Sequence, residues 1–126
     1  MVIAAVDPNK KDLAKLVRYL RMVFHGCEVV MFSDPVFAEQ YIKDNPIDVL
    51  FTEIPMLGLT GLRLQVKCEA VQPGVLTVFT TATDTYVGEA LKSRAQGYII
   101  KPVTREAIRE SLNDTKYSSR QQGGIQ

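Results

Sequence analysis

Apolar residues along this chain follow two alternating rhythms. Short apolar-rich runs recur at Val2–Val6, Cys27–Phe32, Ile47–Thr52, Val75–Thr80 and Gly97–Ile100. Their length and β-branched content predict strands buried on both faces. Between them the apolar residues recur at helical period. Leu13, Leu16, Val17, Leu20 and Phe24 mark one face of a first helix, and Phe37, Ala38, Tyr41 and Ile42 that of a short second one. A third helix is predicted over Leu62–Ala70, with the weakest stripe of the five. Val87, Ala90, Leu91 and Arg94 make a fourth, and Ile108 and Leu112 a fifth that begins at Thr104.

The punctuation agrees with this order. Asp7-Pro8, Asp34-Pro35 and Asp84 read as helix starts, since Asp accepts free amides and Pro tolerates the first helical position. His25-Gly26 closes the first helix, because glycine adopts a left-handed cap at little cost. Strict alternation of strand and helix predicts an α/β fold, a doubly wound parallel sheet with right-handed crossovers. From Asn113 the residues turn polar, so residues 1–112 are predicted as the folded domain and 113–126 as a polar tail or a truncated linker.

Composition narrows the function classes. The 126 residues suit one domain, and 46% apolar with 23% charged residues is ordinary for a globular protein. A net charge of +1 gives no case for direct nucleic-acid binding by this domain. Lys10, Lys11, Lys15, Arg18 and Arg21 read as the solvated side of the first helix. Cys27 and Cys68 lack metal-ligand spacing and read as reduced, largely buried thiols. No apolar run reaches the roughly 18 residues that a membrane span needs. The chain also opens as a strand without a signal-peptide pattern, so a cytoplasmic protein is expected.

In parallel sheets, ligands bind beyond the carboxyl ends of the strands. That rim would carry Asp7-Pro8, Glu53, Thr80-Thr81-Ala82 and Lys101-Pro102. Two acids, a hydroxyl and a lysine form a plausible site for a metal ion and a phosphate. The same residues also have plainer uses: Asp7 as a helix cap, Glu53 as an ion-pair partner of Lys101, Thr81 satisfying nearby backbone, and Tyr98 as a half-buried aromatic.

The segments DVLFTEIPMLGLTG, FTTA and GEALKSRAQGYIIKP resemble the third-, fourth- and fifth-strand motifs of response regulator receiver domains, over about Val2 to Leu112. The stretch from Thr81 to Pro102 is similar to regulators whose output is a LytTR-type DNA-binding domain. The resemblance implies a flavodoxin-like (βα)5 fold with strand order 2-1-3-4-5. It also implies that Glu53 stands where the family has its phosphoacceptor aspartate. Thr81 and Ala82 then match the phosphate-site hydroxyl and its small neighbour, Tyr98 the switch aromatic, and Lys101 the phosphate-pairing lysine, with Pro102 in a cis peptide.

Two departures stand out. Receivers usually end the first strand on adjacent acids that hold Mg²⁺, whereas here Asp7 is followed by Pro8, so Asp7, Glu53 and a loop carbonyl (Pro55 by resemblance) would make only a weak Mg²⁺ site. Glu53 carries an extra methylene, which displaces its carboxylate by roughly an ångström, enough to cost about 10²-fold in rate. The expectation is a degenerate receiver, a non-enzymatic signalling module with no cofactor, whose Glu53 biases it toward an active-like state. It would present its fourth helix, fifth strand and fifth helix to a histidine kinase, an output domain or a second copy as a homodimer. The alternative is a working phosphoacceptor receiver of a two-component transcription factor. A flavin-type cofactor binder is disfavoured, since no Ser/Thr/Gly-rich loop follows the first strand.

Overall fold

The computed structural model describes residues 1–113, so the expected tail lies outside them apart from Asn113. Five strands and five helices alternate: β1 (Val2–Val6), α1 (Lys10–Val23), β2 (Glu28–Phe32), α2 (Pro35–Asp44), β3 (Val49–Thr52), α3 (Gly61–Val71), β4 (Leu76–Thr81), α4 (Val87–Lys92), β5 (Gly97–Ile100) and α5 (Arg105–Leu112). The strands form one parallel sheet in the order β2-β1-β3-β4-β5, as expected. Element ends differ from the sequence reading by a residue or two, the usual scatter of frayed termini. No helix among the described residues is long and apolar enough to cross a membrane.

Side-chain alternation along the strands divides the core between the two faces. Ile3 and Ala5 of β1, with Phe51, Val78 and Ile99, pack beneath Leu13, Leu16, Val17 and Leu20 of α1 and Ile108 and Leu112 of α5. Ala4, Val6 and Leu50 face the other way, onto Ala38 and Ile42 of α2 and Leu64 and Cys68 of α3. Beside this second core, Ile54, Phe79 and Ala90 make a smaller cluster with Tyr86 and Tyr98 against it. Both cysteines are free. Burial pushes the Cys68 thiol up to about 11, which keeps it an unreactive core group.

Register is what serves the site. Val6 pairs with Phe32 on one side and Thr52 on the other, Thr52 with Phe79, and Phe79 with Tyr98. The strands therefore finish almost level, and the residues that follow them share one rim. The loop after β3 is pinned to that rim by Gly61, whose amide donates to Ile54 O at 2.8 Å. A Cβ at Gly61 would lie inside the Glu53 carbonyl, so only glycine lets α3 begin this close to the strand end.

Two helix starts differ from expectation. Asp7 does not cap α1; Asn9 does, accepting the Asp12 N–H, while Asp7 accepts the Asn9 N–H one turn earlier. Asp7 is 2% exposed and its second oxygen is held across the rim, so it is unavailable to the helix. Asp84 does not cap α4 with its side chain either. Its carbonyl accepts the Val87 N–H, Tyr86 occupies the cap position without a side-chain bond, and Thr83 and Thr85 bond each other in a local turn. Asp34 and Thr104 cap α2 and α5 as expected.

Two residues past the end of α4 stands Arg94, the one non-glycine residue with positive φ (62°) among those described, and there the Ala95 N–H reaches back to Ala90 O. This is a left-handed helix cap built without glycine. Arg94→Gly is therefore expected to stabilise the fold by about 1 kcal/mol. Urea denaturation of the two chains measures it, and a variant of equal or lower stability would contradict the reading.

Candidate functional site

The rim is assembled from backbone first. Glu53 N–H donates to Val6 O at 2.9 Å and Lys101 N–H to Thr81 O at 2.8 Å, continuing the sheet one residue beyond β3 and β5. Asp7 N–H likewise donates to Phe32 O. Asp7, Glu53, Thr81 and Lys101 are thereby held by main-chain bonds that do not involve their side chains. Thr52 Oγ1 donates to the Glu53 carbonyl at 2.8 Å and steadies the turn into the loop.

The Lys101 ammonium lies at the centre of the side chains. It is 2.8 Å from Asp7 Oδ2, 2.8 Å from Asp12 Oδ2 and 2.8 Å from Glu53 Oε2. An ammonium has three N–H donors, and here three carboxylates receive them. Each buried acid uses its other oxygen on backbone: Asn9 N–H donates to Asp7 Oδ1 at 2.9 Å, and Ile54 N–H to Glu53 Oε1 at 2.7 Å. Glu53 thus spans its own neighbouring amide and Lys101, one oxygen to each. Three carboxylates around one ammonium leave two formal negative charges uncompensated.

Burial and charge act against each other here. Burial raises the Asp7 pKa above the ordinary carboxylate value, with the Glu53 charge adding to it and Lys101 opposing. For Lys101, burial is the largest single influence and works against the ammonium. Its hydrogen bonds to Asp12, Asp7 and Glu53 together outweigh that, and its pKa stands above the usual lysine range.

The other expected residues are placed less directly. Thr81 is buried, and it is its carbonyl, not its hydroxyl, that bonds Lys101. Ala82 is exposed next to it. Tyr98 is half-buried, with its hydroxyl donating to Thr83 O at 2.6 Å and its ring against the Ile54–Phe79–Ala90 cluster. Lys101-Pro102 is a cis peptide, as the resemblance implied. Thr80, on the same strand end, has a buried hydroxyl without a partner among the described residues.

Asp12 is the residue that reading the strand ends misses. It comes from the first turn of α1, where its amide is capped by Asn9. The signal was present in the spacing: Asp12 lies on the i, i+4, i+8 row with Leu16 and Leu20, both buried. That row carries the Asp12 carboxylate to the rim, where it meets Lys101 while its side chain stays 39% exposed.

These residues do not fit the Mg²⁺ site sketched from Asp7 and Glu53. A hard cation wants several free oxygens in an octahedral shell. The oxygens that Asp7 and Glu53 turn toward each other already bind an ammonium, and Pro8 brings no carboxylate. Among the described residues no group of three ligating side chains is arranged to hold a metal ion.

Comparison with known proteins gives one family. The model of the response regulator receiver domain matches residues 3–113. The Positive alginate biosynthesis regulatory protein of Pseudomonas aeruginosa is 36% identical over 76 residues, 60% of this chain and 30% of that protein. The transcriptional regulatory protein LytR of Staphylococcus aureus is 26% identical over 72 residues, 57% of this chain and 29% of its own length. The matched stretch thus spans under a third of either relative. Among solved structures, the response regulatory domain of protein mrkE from Klebsiella pneumoniae superposes with a TM-score of 0.83 at 23% identity, covering 96% of this chain and 99% of that one. The receiver domain of a sensor histidine kinase from Pseudomonas aeruginosa, solved with magnesium in its active-site cleft, gives 0.75 at 20% identity, over 88% and 93% of the chains.

The charges set a pH test. Raised above 10.5, the Lys101 pKa contributes stability that is present below that value and lost as pH rises through the folded one. Asp7, raised above 3.8, costs stability once pH climbs through its folded pKa, and Lys101 offsets that cost. Lys101→Met is expected to lose about 3 kcal/mol at neutral pH. The variant should recover part of the loss as pH falls toward the ordinary aspartate range. Urea melts at neutral and mildly acidic pH measure it; a variant whose deficit does not shrink on acidification would contradict the assignment.

Proposed function

The chain belongs to the response regulator receiver domain family, and on that premise we propose a receiver whose switch is set by an internal ion cluster instead of by phosphorylation. Glu53 occupies the phosphoacceptor position. The observation that carries this reading is the Lys101 ammonium, bonded at 2.8 Å to Asp7, Asp12 and Glu53 together. The lysine that would pair with a phosphoryl group is already fully engaged.

Phosphoryl transfer is a matter of positioning and charge stabilisation. The Glu53 carboxylate has one oxygen on Ile54 N–H and the other on Lys101, so neither is held free for in-line attack. The uncompensated negative charge of the cluster repels an anionic donor, and Pro8 supplies no acid to recruit a metal against it. Position and field act on the same step and in the same direction.

The switch elements, in contrast, are in place. Tyr98 is packed against the cluster beside α4, and its hydroxyl holds the carbonyl of Thr83, two residues past Thr81. That position supports an active-like setting, with the Glu53 carboxylate standing in part for a phosphorylated aspartate. The imitation is partial, with one charge where a phosphate carries nearly two.

The output is protein contact, not catalysis. β5 is an edge strand, and Ile100 on it and Leu91 on α4 are 50% and 74% exposed. This α4-β5-α5 face is offered to a histidine kinase, an output domain or a second copy, in a cytoplasmic setting. The matched stretch is 30% and 29% of the regulators it resembles, which supports reading the domain as the regulatory part of such a regulator.

Incubation with acetyl phosphate and Mg²⁺ is expected to leave the intact mass unchanged. Glu53→Asp alone should not restore phosphorylation, whereas Glu53→Asp with Pro8→Asp should. A wild-type phosphoryl adduct abolished by Glu53→Gln would overturn the proposal.

A further inference from the structure

We propose that Gln65 is a two-position latch on α4: its amide holds the far end of that helix, and turning to Thr77 releases it. That α4 belongs to the output face rests on the function proposed above. The latch itself does not depend on how the rim handles phosphate.

α4 has little of its own to hold it. It is six residues long, contains Gly88, has no side-chain bond at its amino-terminal cap and buries only Ala90. Beyond its last turn the Ser93 carbonyl looks for a partner outside the helix. Gln65 of α3 supplies one: Nε2 donates to Ser93 O at 3.1 Å and to Glu69 Oε2 at 3.3 Å. A carbonyl and a carboxylate only accept, so the amide nitrogen, and not its oxygen, points at them.

The second support is what this bond leaves unmade. Gln65 is fully buried, yet its Oε1 has no partner among the described residues, and neither has the buried Thr77 hydroxyl. Thr77 stands on β4 with Phe79 toward α3 and α4, since Leu76 and Val78 turn to the opposite core. It lines one cavity of about 460 Å³ with Glu69 and Ser93, the two residues that Gln65 bonds. An unmet acceptor and an unmet hydroxyl thus stand at one junction of α3, α4 and β4.

Leaving a buried polar group unmet costs more than an ordinary hydrogen bond gains. In the latched setting Ser93 O is met and the other two groups are not. Turned about its side-chain torsions, Gln65 accepts the Thr77 hydroxyl at Oε1, and Ser93 O goes to water as α4 lifts. Each setting leaves something unmade, so the two lie close in free energy, as a bistable element requires. The amide thereby sets how freely α4 is presented to a partner.

Amide hydrogen exchange of the full ¹⁵N-labelled chain tests this. It is read at Ala90, Ser93 and Ala95, whose N–H groups bond Tyr86 O, Glu89 O and Ala90 O, relative to Val78 in the core. Gln65→Met is expected to speed exchange at these three by about tenfold, the loss of one ordinary hydrogen bond. Thr77→Val removes the partner of the released setting and is expected to slow them by about threefold. Added to Gln65→Met, the same change should do nothing further. A Thr77 that only packs would give no slowing. Unchanged or faster exchange in Thr77→Val would overturn the proposal, as would unchanged exchange in Gln65→Met or an equal slowing in the double variant. Should Gln65→Met fail to fold, Thr77→Val decides alone. A phosphoryl adduct on Glu53 would remove the preceding reading and leave these exchange rates as the measure of this one.

Discussion

The fold and its site both turn on one ammonium group. Lys101 follows the last strand of the sheet and bonds the residue after the first, the residue after the third, and the first turn of α1. It joins elements far apart in sequence across the whole carboxyl rim. Such a cluster is expensive to bury, and its attraction offsets the desolvation only when every donor and acceptor is used. Here all three ammonium donors are used, and so are both oxygens of the two buried acids, Asp7 and Glu53. The parallel register is what makes it possible, because strands that end level deliver all the partners to one plane.

Much of this was legible in the sequence. Each strand announced itself as an apolar run, and the alternation with helical stripes gave the sheet and its connections. Even the weak stripe predicted for α3 is explained: the helix buries Gln65 along with Leu64 and Cys68, so its inward face is mixed. The rim residues followed from strand ends alone. What failed were local decisions between competing partners. Asp7 had the sequence of a cap, yet the half-buried Lys101 takes one of its oxygens, and Asn9 caps the helix instead. Asp84 lost its cap role to a Thr83–Thr85 turn. Asp12 was hidden among the lysines of α1, where it reads as one more solvent charge unless its row is counted against Leu16 and Leu20.

The replacement of an aspartate-like reach by Glu53 gains a physical meaning from this arrangement. Its longer side chain lets the carboxylate fold back onto Ile54 N–H while still reaching Lys101, and Gly61 allows the following helix to close over that turn. Glu53 thereby completes an ion cluster with Lys101. Tyr98 bonds the Thr83 carbonyl and packs against the Ile54–Phe79–Ala90 cluster beside the same rim.

On the proposed reading, the rim keeps this setting without a phosphoryl group. Beryllofluoride, a mimic of bound phosphate, tests it most directly when added with Mg²⁺ to the ¹⁵N-labelled chain. The amide resonances of Thr81, Ala82, Tyr98 and Ile100 are expected to stay where they are throughout the titration. A saturable shift of Thr81 and Ala82 that carries Tyr98 and Ile100 with it would show a phosphate-responsive switch, and would contradict the account.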